Sequence, residues 1–418
     1  MFKSLQQKLG INRVVVAISV ARLGDGIGNS ILIVVIPLYV AKLPSPWFPF
    51  PESARVGILI SLYGLVLAVL QPFTGAITDR YGNRKQMVLI GLVAMGLATI
   101  GFILAGSFSA LIGLRLLQGI GVAMTVPAAL AIMASATRKE SRGGAMGVYT
   151  TMRMVGFATG PLIGGFLFER FGFNSTFVAG TVFIAIGLVM ASLLLDPDKK
   201  AIKPAKPDRS EHRYRLFDPG LLGAGIVGAG LASFIMASDF SMISSLETQF
   251  NSRLGQGALG FGIAFSALII TRLIFQVPLG NFSDRWGRKP FILAGLILIA
   301  PATILLGYVV TTTQFTGLRM VQGLASAAIA APAFALAADV AKVGGEGRQM
   351  SVVTMSFGLG IAVGPLISGF LAVYSFTLPF WIGGILSLII ALVVFRFVPE
   401  TLESRITDQN RATPVEGD

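Results

Sequence analysis

The chain has 418 residues, of which 54% are hydrophobic and only 13% are charged. Soluble domains carry charge on about a quarter of their residues, so this composition excludes a water-soluble globular protein. The formal net charge of +13 could suggest nucleic acid. However, most Lys and Arg residues lie at the termini and in alternate loops, which is typical of the cytoplasmic side of a membrane protein. The absence of Cys and the single His, His212, exclude thiol chemistry and a His/Cys metal cluster.

Several long stretches without Asp, Glu, Lys or Arg can each cross a bilayer, for which a helix needs about 20 apolar residues. The stretch 349–395 is long enough for two helices, with a turn near Tyr374 and Ser375. The pattern predicts an all-α membrane protein with twelve transmembrane helices, near 13–41, 54–78, 86–106, 109–135, 143–168, 174–195, 219–246, 257–281, 290–310, 314–341, 350–373 and 377–398. The charge asymmetry predicts that both termini are cytoplasmic, in the plasma or inner cell membrane.

A polar, basic stretch follows the sixth predicted span and divides the chain. We therefore predict an N-terminal six-helix bundle at 1–195 and a cytoplasmic linker at 196–216. A C-terminal six-helix bundle at 217–400 and a cytoplasmic tail at 401–418 follow.

The two predicted bundles share three sequence patterns at nearly the same offset. A glycine-rich basic loop after the second span recurs 205 residues later after the eighth. Its first copy holds Gly75, Asp79, Arg80, Gly82 and Arg84, and its second holds Gly280, Asp284, Arg285, Gly287 and Lys289. A Leu-Arg-x-x-Gln-Gly segment with Arg115 and Gln118 recurs 204 residues later with Arg319 and Gln322. A Gly-Pro segment with Gly160, Pro161 and Gly164 recurs as Gly364 and Pro365.

The glycine-rich basic loop resembles the signature of the major facilitator superfamily, and the resemblance covers essentially the whole chain. It implies the major facilitator fold, in which two six-helix bundles rock about a central cavity that opens alternately to each side. It also implies a monomer. The Gly-Pro segment around Pro161 resembles that of the family's antiporters, notably exporters that exchange drugs for protons.

The repeated segments suggest two mechanical roles. We interpret the basic loops as a gate latch whose charges form ion pairs that break when the protein changes state. The alternative, anchoring by the positive-inside rule, accounts for the basic residues but not for the repeated Asp. We interpret Gly160, Pro161, Gly164, Gly364 and Pro365 as a hinge, since proline disturbs a helix and glycine admits a neighbouring backbone. Ordinary packing of small residues is the alternative.

Charged residues inside the spans carry the functional information, because burying a charge in a bilayer is costly. Arg22, Asp25 and Asn29 lie three and four residues apart, on one face of the first helix. Asp25 is about 18 Å from the start of that helix, near the middle of the bilayer. We predict that Asp25 binds a coupling proton, aided by Arg22 and tuned by Arg115. The alternative is a permanent structural pair between Arg22 and Asp25.

The resemblance implies that the first, fourth, seventh and tenth spans line the cavity. The predicted cavity residues on them are Asn29, Gln118, Asp239, Met242, Arg319 and Gln322. Arg153 and Arg272 also lie inside spans and have no repeated counterpart. The excess of Arg over Asp favours anionic, zwitterionic or lipid-like substrates over dications.

These observations predict a secondary transporter that exports small amphipathic compounds in exchange for protons. Uptake or facilitated transport of a polar metabolite or organic anion, or export of a lipid-like substrate, is the alternative. No phosphate-binding loop or catalytic metal motif is present in the sequence, so we predict neither an enzyme nor ATP-driven transport. The expected partners are the bilayer and a small-molecule substrate, with no nucleic acid, and the expected driving force is a proton gradient with no cofactor.

Overall fold

The protein was analysed as a computed structural model, which describes residues 10–81, 83–138, 141–195, 223–341 and 346–401. The predicted linker, with His212, and the predicted tail beyond residue 401 lie outside the described residues. So does Gly82. The described part of the chain is helical throughout, apart from its turns and connecting loops.

Thirteen helices form the described part of the chain. The N-terminal half holds α1 (Arg13–Lys42), α2 (Glu52–Tyr81), α3 (Arg84–Gly101), α4 (Phe108–Ala136), α5 (142–171) and α6 (173–194). The C-terminal half holds α7 (Ala224–Ser241), α8 (Glu247–Leu254), α9 (Ala258–Trp286), α10 (Arg288–Leu306), α11 (Thr312–Asp339), α12 (Glu346–Leu371) and α13 (Leu378–Phe397). Short 3-10 turns at Phe102–Leu104 and Met242–Ser245 extend α3 and α7.

The prediction of twelve spans agrees with these helices. Eleven uninterrupted helical stretches among the described residues are long and apolar enough to cross a membrane, and one of them is 53 residues long. At 1.5 Å per residue that stretch would far exceed a bilayer. It divides at Gly172, whose φ of 78° is not helical, into α5 and α6. Only α8 is too short to span, so α9 to α13 are the last five predicted spans.

Helices alternate in direction, so each connecting loop lies at one of two ends. The terminal end is where α1 begins and α13 ends, and the far end is opposite. Ser107 and Thr311, 204 residues apart, cap the far-end starts of α4 and α11 with side-chain acceptors for the amides of Ala110 (3.3 Å) and Gln314 (3.2 Å). The sequence repeat is therefore also a repeat of local structure.

The helices form two bundles, α1 to α6 and α7 to α13, which touch along two seams. One seam joins α2 to α12, and the other joins α5 to α9. The two largest apolar clusters near the terminal end each contain residues of one bundle only. At the far end one cluster contains residues of both, including Val34 of α1 and Phe265 of α9.

The α2–α12 seam widens from the far end to the terminal end. A Cβ placed on Gly57, near the far end, would lie 2.3 Å from the Pro365 carbonyl oxygen. On Gly64 the nearest contact would be 3.2 Å to Ala362, and on Gly358 it would be 3.7 Å to Ala68. The bundles are therefore packed together most closely at the far end, whereas the apolar clusters near the terminal end remain separate.

Candidate functional site

A buried ion pair lies near the middle of α1. Arg22 donates to the carboxylate of Asp25 one helical turn away, and the two residues are 7% and 3% exposed. The Arg22 guanidinium also lies over the ring of Tyr149 in α5, at 5.7 Å from the centroid. Because α1 presents small residues to its neighbours, helix α5 approaches closely: a Cβ on Gly26 would lie 3.2 Å from the Arg153 carbonyl oxygen. The predicted one-face arrangement of α1 therefore places its charges inside the N-terminal bundle.

Tyr63 of α2 links the predicted proton-coupling residues. Its hydroxyl accepts a hydrogen bond from Asn29 Nδ2 at 2.9 Å. The guanidinium of Arg115 lies over its ring at 5.6 Å from the centroid, and Asp25 interacts with it electrostatically. Arg115 therefore reaches the Asp25 region through Tyr63.

The repeated Leu-Arg-x-x-Gln-Gly segments build the same hydrogen-bonded chain in both bundles. Arg115 donates to Gln118 Oε1 (2.9 Å), and Gln118 Nε2 donates to Thr99 (2.9 Å). In the second bundle Arg319 donates to Gln322 (2.6 Å), and Gln322 donates to Thr303 (2.9 Å). Each bundle thus buries an arginine that donates to a glutamine on its own helix, α4 or α11, and this glutamine donates to the neighbouring helix, α3 or α10.

The second chain differs from the first because it ends at a carboxylate. Asp239 accepts hydrogen bonds from Thr303 at 3.3 Å and from Ser387 at 2.9 Å. Arg319 interacts with Asp239 electrostatically and donates to the Phe240 carbonyl at 3.3 Å. In the first chain, the described residues place no carboxylate at the corresponding end. The C-terminal bundle therefore neutralises its buried arginine internally, and the N-terminal bundle relies on the Asp25 region.

Four predicted cavity residues lie elsewhere than expected. Asp239, Arg319 and Gln322 are at most 1% exposed, and their described side-chain partners all belong to the C-terminal bundle. Met242 packs in the far-end apolar cluster, which seals the bundles together. The side-chain hydrogen bonds of Asp239, Arg319 and Gln322 all run to their own bundle, so these side chains point into it. Asn29 and Gln118 lie in the N-terminal network described above.

The second copy of the basic loop holds its own bundle together. Gly287 has a φ of 99°, a conformation that favours glycine, and it turns the chain from α9 into α10. Arg288 pairs with Asp284 and, at 3.4 Å, with Asp339 of α11. Glu400 accepts from the amides of Arg288 and Lys289, both at 3.1 Å. These contacts join α10, α11 and the end of α13 at the terminal end.

The first copy is described only in part. Arg84 donates to the Ala131 carbonyl at 3.4 Å, within its own bundle. The side chains of Asp79 and Arg80 lie outside the description. Gly75 and Gly280 lie in the last turns of α2 and α9, and a Cβ there would touch only Pro127 (3.7 Å) or Ala331 (3.4 Å). The latch between bundles stays a prediction, as does any role in it for Arg285.

The Gly-Pro segments lie at the two seams, but their glycines face helices of their own bundle. Gly160 and Gly164 face α1, where a Cβ would lie 1.9 Å from Ser30 Oγ and 2.9 Å from the Ile31 carbonyl. Gly364 likewise faces α7, at 2.4 Å from the Ser238 carbonyl. These glycines therefore serve close helix packing inside each bundle.

The prolines of the same segments face the other bundle. The Pro161 carbonyl would lie 2.4 Å from a Cβ on Gly262 of α9, and the Pro365 carbonyl 2.3 Å from one on Gly57 of α2. Pro161 and Pro365 are 204 residues apart, and Gly57 and Gly262 are 205 apart. The two seams are thus repeats of one contact, and a hinge at these positions stays a prediction.

A family model for the Major Facilitator Superfamily matches residues 18–228 and again residues 229–415. The chain belongs to the Major Facilitator Superfamily. It is an integral membrane protein with the all-α fold of that superfamily. The fold supports this assignment: a bacterial homologue of the human lysosomal transporter Spinster, solved in an inward-facing, occupied conformation, matches with a TM-score of 0.74 at 17% identity. That match covers 96% of this chain and 98% of the other.

Relatives within the superfamily include named efflux pumps. The multi-drug resistance efflux pump PmrA of Streptococcus pneumoniae is 26% identical over 313 residues, covering 74% of this chain and 77% of the pump. Multidrug resistance protein 1 of Bacillus subtilis is 26% identical over 369 residues, covering 84% of this chain and 90% of that protein.

Sequence reasoning missed several residues that the superfamily fold brings to the site. Tyr63, Tyr149 and the seam glycines Gly57 and Gly262 carried no motif. The repeat offset could have found the glycines, because it relates Gly57 to Gly262 just as it relates Pro161 to Pro365. The two tyrosines have no such signal, because an aromatic residue in a span is ordinary.

Another missed residue is Glu247, on the short far-end helix α8. It is 0% exposed, and its only described hydrogen bond is a long one, 3.5 Å, from Asn251 Nδ2. The opposite face of α8 lines an open depression of about 530 Å³ between the bundles, with Thr248, Gln249 and Ser252. Burial raises the pKa of the Glu247 carboxyl well above its usual range.

A raised pKa makes the sealed far end sensitive to pH. The sealed state holds the Glu247 proton more tightly than a state in which Glu247 is hydrated. The stability of the sealed state relative to the hydrated state is therefore fully present at low pH and is lost as the pH rises through the raised pKa. We expect alkaline pH to open the far end in the unaltered protein, and Glu247→Gln to remove that dependence. The opening of the far end is measured as the distance between spin labels on Trp47→Cys and Tyr374→Cys, which belong to different bundles.

Glu52→Gln is the matched control, because Glu52 lines the same depression but is only partly buried. It should keep the pH dependence of the unaltered protein. A label distance that changes with pH as strongly in Glu247→Gln as in Glu52→Gln would exclude Glu247 as the titrating group.

Proposed function

We propose that the chain is a proton-coupled exporter of small amphipathic compounds, working by alternating access. The observation that carries this proposal is the buried pair of Arg22 and Asp25, which lies beside Tyr63 and Tyr149 near the middle of α1. In this bundle the described part of the Arg115 chain contains no carboxylate of its own. Ionisable residues at such depth are expensive and typically belong to ion or proton pathways. The relatives named as a multi-drug resistance efflux pump and as a multidrug resistance protein support export of drug-like compounds.

The proposed cycle uses the two ends of the molecule in turn. In the described state the bundles pack most closely at the far end, and the positions of the basic residues in the sequence predict that the terminal end is the cytoplasmic one. Substrate enters from that side. Closure of the terminal end and opening of the far end then release it, and a proton taken up by Asp25 from outside returns with the reverse motion. Arg22 stabilises the Asp25 carboxylate whenever the proton has left.

Asp25→Asn tests the proposal. Everted membrane vesicles energised to an acidic interior should concentrate an amphipathic dye such as 8-anilinonaphthalene-1-sulfonate when they contain the unaltered protein. A protonophore should abolish this concentration. Asp25→Asn keeps the side-chain shape but cannot exchange a proton, so concentrative transport should be lost while exchange of dye against dye persists.

Asp239→Asn with Arg319→Gln, in one chain, provides a comparison in the other bundle. It removes a buried carboxylate and its compensating arginine outside the proposed proton path, so proton-driven transport should remain. Concentrative transport by an Asp25→Asn protein that reaches the membrane in normal amount would exclude Asp25 as the proton carrier. Uptake of a polar metabolite with no dye transport would exclude export.

A further inference from the structure

Two arginines face each other across the α5–α9 seam, one from each bundle. The antiparallel register of this seam follows from its close contacts. Pro161 lies opposite Gly262, and Gly165 lies opposite Leu259, where a Cβ placed on Gly165 would be 2.6 Å from the Leu259 Cα. Continuing the register toward the terminal end places Arg153 at the level of Arg272. At 100° per residue, Arg153 is rotated about 80° around α5 from Pro161, and Arg272 about 80° around α9 from Gly262. Because the two helices are antiparallel, both rotations turn the arginines to the same side of the seam.

Their electrostatic interactions agree with that register. Arg272 is repelled by Arg153, and Arg153 interacts with Arg22, Asp25 and Tyr63. Both arginines are half-buried rather than enclosed. The shared side of the seam is therefore the side that faces the Asp25 pair.

No carboxylate among the described residues pairs with either arginine. Arg153 lies over the Phe157 ring at 5.4 Å, and Arg272 donates to Gln276 at 3.2 Å. Asp25 pairs with Arg22. Two half-buried like charges on the same side of the seam repel each other, and since neither has a carboxylate paired with it, an anion that joined them would relieve the cost.

We propose that Arg153 and Arg272 form a split binding site for the anionic head group, phosphate or carboxylate, of the transported amphiphile. One arginine comes from each bundle, so a bound anion holds the two bundles together where their charges otherwise keep them apart. Phe157, beside Arg153, offers an apolar surface to the adjoining part of the ligand. This proposal rests on the proposed transport function and names the class of substrate and the step that its binding permits.

Binding in neutral detergent tests the site. Octyl phosphate and octyltrimethylammonium have the same tail and opposite charges. We expect octyl phosphate to raise the unfolding temperature of the unaltered protein and octyltrimethylammonium to have little effect. Arg153→Gln and Arg272→Gln should each weaken octyl phosphate binding about 10- to 100-fold, the range for loss of one charge-assisted contact. Arg272→Lys should recover part of the affinity.

Arg396→Gln is the control for charge removal, because Arg396 is exposed on α13, away from both seams. It should bind octyl phosphate like the unaltered protein. Equal binding of both head groups, or octyl phosphate affinity unchanged in Arg153→Gln and Arg272→Gln, would overturn the proposal. Since this test needs no proton gradient, it can fail while proton-driven transport stands, and the reverse.

The same measurement in nanodiscs distinguishes a free ligand from a bilayer lipid. Binding of octyl phosphate that persists when phosphatidylglycerol replaces phosphatidylcholine supports a substrate site. Binding abolished by phosphatidylglycerol shows that lipid head groups fill the site and overturns its assignment to substrate.

Spin-label distances test the second half of the proposal. The sequence contains no Cys, so Ser135→Cys and Ala338→Cys can be labelled without background at the exposed terminal ends of α4 and α11. Octyl phosphate should shorten this distance in the unaltered background but not with Arg272→Gln. Arg272→Glu, which turns repulsion into attraction, should shorten it without ligand. A distance that ignores both changes would contradict the bridging role.

Discussion

Adding one methyl group at Gly57 is expected to break the seal at the far end. A Cβ there would lie 2.3 Å from the Pro365 carbonyl oxygen, and this atom belongs to the backbone, so the clash is relieved only if α2 and α12 separate. Overpacking of this kind costs about 1–3 kcal/mol, which shifts a two-state equilibrium roughly 5- to 150-fold. Gly57→Ala should therefore favour the state that is open at the far end and lengthen the distance between labels at Trp47→Cys and Tyr374→Cys.

Repeated geometry gives this prediction a matched partner and a control. Gly262→Ala creates the equivalent clash, at 2.4 Å from the Pro161 carbonyl, on the other seam and should act in the same direction. Gly113→Ala in α4 meets nothing within 4 Å. It should leave the distance unchanged, because Ala is merely the better helix former. Label distances that stay the same in Gly57→Ala and Gly262→Ala would show that the seams do not control the far end.

Removing the charge of Asp239 is expected to destabilise the C-terminal bundle strongly. Asp239→Asn removes the buried carboxylate that accepts from Thr303 and Ser387 and that interacts electrostatically with the fully buried Arg319. Losing a hydrogen bond to a buried charged group typically costs about 1.5–3 kcal/mol of folding free energy. Reversible unfolding in mixed micelles should show this loss.

The double variant Asp239→Asn with Arg319→Gln separates charge from shape. Removing both charges leaves a neutral network with Thr303 and Gln322, so most of the lost stability should return. If the double variant is as unstable as the two single losses added together, then Asp239 and Arg319 do not compensate each other.

Arg115→Gln in the other bundle should lower the free energy of unfolding less than Asp239→Asn does, because the described part of its hydrogen-bonded chain contains no carboxylate. It should reduce the rate of proton-driven transport more, because Arg115 contacts Tyr63 beside Asp25.

The spans and their order could be predicted from the sequence because membrane thickness fixes helix length. The break between α5 and α6 is an example: the predicted spans 143–168 and 174–195 lie on either side of Gly172. The repeat in the basic loops and the Gly-Pro segments gave the family and its two-bundle fold. These features depend on local composition and spacing, which a single chain displays directly.

The direction in which each buried polar side chain points could not be predicted. Helix α7 is apolar on all sides, so its sequence does not distinguish the face toward the cavity from the face toward its own bundle. Asp239 was therefore placed in the cavity, whereas Thr303 and Ser387 hold it inside the bundle. Arg22 and Asp25 were placed together correctly because a spacing of three residues on one helix brings side chains into contact.

The two bundles share one architecture but differ in the surroundings of their buried arginine. Arg319 and Asp239 form a self-contained network in the C-terminal bundle. The matching Arg115 faces Tyr63, which also interacts with Asp25. Under the proposed function, the network of Arg319 and Asp239 maintains the structure of the C-terminal bundle. The network around Arg115, Tyr63 and Asp25 responds to protonation.

Proton movement driven by substrate in proteoliposomes tests this account most directly. Purified protein is reconstituted with the pH-sensitive dye pyranine inside, and an outward gradient of a dye substrate is imposed without any other driving force. We predict that protons move inward as substrate leaves, and that Asp25→Asn abolishes the proton movement while Glu52→Gln preserves it. Substrate efflux without proton movement in the unaltered protein, or proton movement that survives Asp25→Asn, would contradict the account.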